Sequence, residues 1–177
     1  MESIISLIKA RRSCRKFNNQ LPTADQVKTL EKAALLAPTS KNNRPWHFIF
    51  ITDTKTIDLL SGVKPHGATF LKHAPLAIVI IADPEKSDVW IEDTAIAACY
   101  LQLTAEDIGL GSCWIQIRQR MYDDQTSASD KIKQLLQVPS TFEVTSIIAI
   151  GTKEKERSAY TDEDLLIERI HNNSFQF

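Results

Sequence analysis

Residues 91–117 read IEDTAIAACYLQLTAEDIGLGSCWIQI, and the organisation of the chain turns on how this stretch divides. Asp93 to Ile108 is the longest helical stretch in the sequence. Its small residues Ala95, Ala97, Ala98 and Cys99 permit close packing against another helix or another subunit. Gly109 stands where a helix calls for a left-handed residue just past its end. SCWIQI (112–117) then reads as a short strand.

The pattern extends outward in both directions. PLAIVIIAD (75–83) is a continuous apolar run bounded by Pro75 and Pro84, which predicts a fully buried strand. WHFIFIT (46–52) and VTSIIAIG (144–151) predict two more strands from their aromatic and β-branched content. Before them, Thr23 and Gln26 have capping-box spacing, Val27, Leu30, Ala33, Ala34 and Ala37 form an apolar stripe, and Pro38 ends the helix. Short helices are expected at 2–10, with Ile4, Ile5 and Ile8 on one face, and at 54–60. SDKIKQLLQVP (129–139) is amphipathic through Ile132, Leu135 and Leu136, and Thr161 is expected to cap a last helix, TDEDLLIERIH. No repeat, low-complexity block or linker interrupts the chain. A single domain over 1–177 is expected, with about four strands and helices between them, either α/β or α+β.

Composition narrows the class. With 177 residues, 43 % hydrophobic and 24 % charged, the chain can bury a sizeable core. Its 21 basic and 22 acidic residues leave a formal charge of −1, whereas a nucleic-acid-wrapping protein carries a basic excess. Three cysteines, Cys14, Cys99 and Cys113, form no CxxC pair, which argues against a disulfide framework or structural zinc and fits a reducing compartment. MESIISLIKARR does not read as a signal peptide, and the longest apolar runs are too short to span a bilayer. A cytoplasmic protein with no nucleic-acid and no membrane partner is expected.

Catalytic signatures are missing: no GxSxG, no HExxH, no phosphate loop. Gly109-Leu110-Gly111 lacks the third glycine of a dinucleotide fingerprint. His47, His66, His73 and His171 do not sit at metal-ligand spacing. Cys14 lies between Arg12 and Arg15, a setting that lowers a thiol pKa, but without a visible partner it is read as a bystander. Three polar clusters remain. Arg11, Arg12, Ser13 and Arg15 can aim guanidinium forks and a hydroxyl at an oxyanion, or simply end a helix. Thr39, Ser40, Asn42, Asn43 and Arg44 can hydrogen-bond a planar heterocycle, or simply make a turn. Lys153, Lys155 and Arg157 are either solvated or the second half of a phosphate site.

Together, RRSCRKF (11–17), AALLAPTSKNNRPWHFIFI (33–51), residues 91–117 and IGTKEKERSAYTDEDLLIERIHNNSF (150–175) resemble the FMN-dependent nitroreductase family, in particular its short bacterial NAD(P)H nitroreductase-like members. The resemblance runs from about residue 9 to 170. It implies an α+β fold, a central, mostly antiparallel sheet of four to five strands flanked by helices, in an intertwined homodimer with FMN at the interface. It further implies that Arg11, Arg12 and Ser13, joined by Arg15, contact the FMN phosphate and ribityl chain, with Lys153 or Arg157 completing the phosphate site. Thr39, Ser40 and Asn43 would approach the flavin from the partner subunit, and Trp114, Ile115 and Gln116 through their main chain. The family commonly has Gln where this chain has Arg44. The tail, Ser174 to Phe177, would reach across to the partner.

The implied activity is reduction of nitroaromatics, quinones or related electrophiles by NADH or NADPH, by a ping-pong mechanism with no catalytic protein residue and no metal. The alternatives are dehalogenation or flavin modification, for which 177 residues leave little room for a lid, and a flavin sensor or store without turnover.

Overall fold

The computed structural model describes residues 3–175. Helix α1 (Ile4–Ala10) is followed by α2 (Ala24–Leu35), β1 (Trp46–Ile51), α3 (Thr54–Ser61), β2 (Leu76–Ala82), α4 (Trp90–Asp107), β3 (Gly111–Gln116), α5 (Ala128–Leu136) and β4 (Glu143–Gly151). The four strands form one sheet in the order β1-β2-β4-β3, and every pairing is antiparallel. The fold is α+β, as the resemblance implied, with four strands among the described residues.

The central strand β2 explains the long apolar run at 75–83. All seven β2 residues are buried, because helices cover both faces of the sheet. Ile57, Leu60, Val79, Ile132 and Ile147 pack on the face under α3 and α5. Leu30, Ala34, Ile78, Leu101 and Ile148 pack on the other, under α2 and α4. The capping box of α2 forms as its spacing requires: Gln26 N donates to Thr23 Oγ1 and Thr23 N to Gln26 Oε1. Gln26 Nε2 also donates to Ile108 O, tying the start of α2 to the end of α4. Gly109 follows with φ +77, the left-handed conformation expected past a helix end.

The small residues of α4 fall on two faces. Ala97 and Ala98 are buried against α2 and the sheet, while Ala95 and Cys99 are exposed beside Ile96 and Tyr100. A 3.6-residue period puts adjacent positions about 100° apart, so a run of small residues spans both. One expectation needs correction: the last helix does not form. Thr161 makes its capping box with Asp164, but only two short 3₁₀ turns follow, Asp162–Asp164 and Ile167–Arg169. Leu165, Leu166, Ile167 and Ile170 stay exposed, so this segment has no packed apolar face to sustain helix propagation. Gln176 and Phe177 of the proposed reaching tail lie outside the described residues.

The decisive tertiary feature is the path of residues 13–18. This segment runs along the outer edge of β3 and past the end of β4. Ser13 forms a parallel bridge with Ser112 and Phe17 an antiparallel one with Lys153. Cys14 N donates to Ser112 O at 2.8 Å, Asn18 N to Thr152 O at 3.0 Å and Glu154 N to Lys16 O at 3.2 Å. Gly111 permits the crossing: a Cβ there would lie 2.7 Å from Lys153 Cγ and 2.8 Å from Cys14 Cβ. No helix among the described residues is long and apolar enough to cross a membrane.

Gly111→Ala is expected to destabilise the protein by about 1–3 kcal/mol, since backbone and a short side chain must move apart. Gly62→Ala, whose Cβ would meet only Leu59 O at 3.7 Å, should be neutral or stabilising by up to about 1 kcal/mol. Thermal unfolding of the two variants checks both the size and the order.

Candidate functional site

The crossing creates a cavity of about 600 Å³ between residues 10–16, residues 153–158 and Glu106 near the end of α4. Arg12, Arg15, Lys16, Lys153, Lys155 and Arg157 line it, with Ser13, against two carboxylates, Glu106 and Glu156. The first and third clusters of the sequence, some 140 residues apart, thus share one concave surface. A protein of near-zero net charge gathers much of its positive charge here, which favours a dianion.

Each cation has a distinct setting. Lys153 Nζ lies 2.6 Å from Glu106 Oε1 and 3.0 Å from Glu156 Oε2, with only 12 % of its side chain exposed. Burial works against its charge, but hydrogen bonds to Glu106 and Glu156 outweigh burial and hold Lys153 above the usual lysine range. Arg12 Nη1 donates to Ser158 O at 2.6 Å, and its guanidinium lies 4.2 Å from the centre of the Tyr160 ring. It fixes the chain beyond β4 over the cavity. Arg15 is exposed, 5.8 Å from the Phe70 ring centre. Arg11 is the residue that closes α1 and does not line the cavity. Cys14 is not activated. Burial pushes its thiol up, more than Lys153 and Arg157 lower it, and Cys113 is likewise raised by burial.

Beside the cavity runs the edge of β3. Main-chain groups of a strand alternate between its two sides. Ser112 O faces outward to Cys14 N, and Gln116 O faces outward to Lys64 Nζ at 2.8 Å. Trp114, between them, therefore presents its main chain to the open side, while Ile115 faces β4 through its pairing with Ile147. Trp114 and Gln116 are partly exposed and Ile115 is 1 % exposed.

The second cluster lies elsewhere. Lys41, Asn42 and Arg44 all have positive φ, at 50°, 57° and 48°, an accumulation of backbone strain in one short turn. Thr39 Oγ1 accepts from Arg44 N, Arg44 Nε donates to Asn42 Oδ1, and Asn43 N donates to Ser40 O. The turn is bolted to α4 by Asp93, 2 % exposed, which accepts from Ser40 N at 2.9 Å and from Ser87 Oγ at 2.8 Å. Asp93 and Glu106 are thirteen residues apart on α4, so the turn and the cavity are separated by about 20 Å. One chain joins the first and third clusters and holds the second apart. Sequence reasoning missed Asp93 and Glu106, since acids near the two ends of a helix look like solvated charge.

The nitroreductase family model matches residues 8–66 and 63–152. An FMN-dependent nitroreductase of Clostridium difficile R20291 is 50 % identical and superposes with a TM-score of 0.95, covering 97 % of this chain and 99 % of that one. A protein of Archaeoglobus fulgidus, provisionally named an NADH dehydrogenase/NAD(P)H nitroreductase, is 31 % identical over 99 % of this chain and 100 % of its own length. The FMN reductase (NADPH) of Bacillus subtilis is 29 % identical over 78 % of this chain and 61 % of its own. The matched region takes in the RRSCRKF crossing, the Asp93-anchored turn and all four strands, and the chain belongs to the nitroreductase family.

Proposed function

We propose that this chain binds FMN along the cation-lined cavity and the open edge of β3, and uses NADH or NADPH to reduce nitroaromatic, quinone or related electrophilic acceptors. The observation that carries this reading is the convergence of Arg12, Ser13, Arg15, Lys153 and Arg157 on one cavity beside the edge of β3, which is open at Trp114 between the Cys14 and Lys64 contacts. The donor set fits FMN. Guanidinium and ammonium groups suit its phosphate dianion, the Ser13 hydroxyl suits the ribityl chain, and the Trp114 and Gln116 main chain suits the heteroatom edge of the flavin ring. FMN held by these groups would supply hydride chemistry, with NAD(P)H and the acceptor reacting in turn at the same place, which predicts ping-pong kinetics.

The protein's own part is to bind and orient. Glu106 holds Lys153 toward the cavity while leaving part of its donor capacity free. Arg12 holds the 158–160 segment over the cavity. No protein acid or base is assigned, because protons for the acceptor come from water.

The site is completed by a second copy of the chain. Thr39, Ser40 and Asn43 lie about 20 Å from the cavity of their own subunit, so in this reading they serve the flavin of the partner. Exposed Ile4, Ile5, Ile8, Ile96 and Tyr100 supply apolar surface for that association. Arg44, hydrogen-bonded to Asn42 in the same turn, would bring a cation to the pyrimidine edge and favour the reduced, anionic flavin. A single flavin-binding domain over 1–177, in the cytoplasm among reduced nucleotides and thiols, is the unit we infer.

The purified protein is expected to be yellow, to release FMN on denaturation and to oxidise NAD(P)H with a quinone or nitroaromatic acceptor. A preparation that stays colourless with added FMN would refute the reading, and flavin bound without turnover would make it a store. Arg12→Ala should weaken FMN binding by about ten- to a hundredfold, the value of a charge-assisted hydrogen bond, measured by fluorescence titration. Light scattering should give twice the 20.0 kDa chain mass; a monomer that retains full FMN affinity would remove the partner's turn from the site.

A further inference from the structure

At the opposite end of the β3 edge from the phosphate cavity stands a second group of cations that the flavin reading leaves unused. Lys64, just past α3, lays its side chain back so that Nζ donates to Gln116 O at 2.8 Å. An ammonium has three donors, and this bond uses one. Residues 117–120 turn sharply here, with Gln119 at φ 59°, Arg120 N donating to Ile117 O and Ala128 N to Arg120 O. That turn pins the Arg120 backbone between the end of β3 and the start of α5, and its guanidinium donates only to Gln119 O. Arg118 is drawn away, 5.8 Å from the Trp90 ring centre. No ion pair among the described residues uses Lys64 or Arg120.

Lys64 at Gln116 O and Arg120 in the following turn bring two positive charges to one end of β3 with no carboxylate among the described residues paired to either, and an anion bound there is attracted to both. The effect on Lys64 is direct: burial depresses its pKa below the usual lysine range, and the Arg120 charge depresses it further. The position of the pair limits the anion. Gln116 lies five residues beyond Gly111, about 17 Å along the strand, so the pair stands too far from the cavity to share its phosphate. Trp114, at the middle of the open edge, is only about 7 Å away. A molecule stacked over a flavin at Trp114 would therefore extend its next group to Lys64. Nitroaromatics and quinones need carry no charge there, but a nicotinamide nucleotide always carries its pyrophosphate a ribose away from the reacting ring.

We propose that Lys64 and Arg120 form a second anion site, at the β3–α5 turn, which takes a phosphate group of the reduced nicotinamide nucleotide. The inference rests on the flavin-dependent activity argued above, and the test separates the two. Flavin-loaded protein is assayed with NADH and with 1-benzyl-1,4-dihydronicotinamide, a hydride donor that has no phosphate. Arg120→Ala should raise the KM for NADH by on the order of tenfold with flavin content retained, and leave the KM for the benzyl donor as in the wild type. Lys64→Met should act in the same direction, and Lys64→Arg should restore most of the NADH affinity. An unchanged KM for NADH in both Arg120→Ala and Lys64→Met would overturn the site. So would an equal rise for both donors, which would mean that the cations support the strand rather than bind phosphate. A rise confined to the acceptor 4-nitrobenzoate would give the cations to acceptor binding and also overturn it. Wild-type protein that oxidises neither donor would overturn the activity itself.

Discussion

The 2.8 Å hydrogen bond from Cys14 N to Ser112 O, made over a glycine, sets the rest of this molecule. It brings a segment from the start of the chain onto the outer edge of β3, where the missing side chain of Gly111 leaves room for the side chains of Cys14 and Lys153. Once Cys14 is there, Arg12, Ser13 and Arg15 fall beside the residues that follow β4, because Phe17 bridges Lys153 three residues later. The same contact occupies only the first part of the β3 edge, which leaves the edge open at Trp114.

Helix α4 is the second organising element. Asp93 near its start fixes the strained 39–44 turn, and Glu106 near its end fixes Lys153. Both carboxylates carry out their roles through short hydrogen bonds in places of low exposure, where such bonds are stronger than in water. The helix thereby acts as a spacer of about 20 Å between two half-sites. In the reading proposed above, a flavin that needs both halves needs two chains, and α1 and α4 leave Ile4, Ile5, Ile8, Ile96 and Tyr100 exposed.

Much of the fold was legible in the sequence. The continuous apolar run at 75–83 announced the central strand β2, because burial on both faces removes alternation, and the β-branched content of 144–151 announced β4. The Thr23–Gln26 spacing announced the start of α2, because capping is local chemistry. The last helix was read from residue type and period, while helix propagation depends on what packs alongside. Leu165, Leu166, Ile167 and Ile170 stay exposed, whereas Ala98 of α4 is buried against Leu30 and Ala34 of α2.

The candidate site divides the same way. Residue chemistry in the sequence identified three polar clusters and the family they resemble, since guanidinium forks, hydroxyls and amides carry their binding capacity wherever they stand. Which clusters meet was decided by tertiary structure alone. Arg12 and Arg157 are 145 positions apart and share a cavity, whereas Thr39, closer in sequence to Arg12, is held at the far end of α4. Glu106, Asp93 and the Lys64–Arg120 pair carry no signal in the linear pattern, because a charge at a helix end or in a loop looks solvated until the fold supplies its partner. Sequence determined the donors available to this protein; the antiparallel order β1-β2-β4-β3 and the crossing over Gly111 decided which of them line the same cavity.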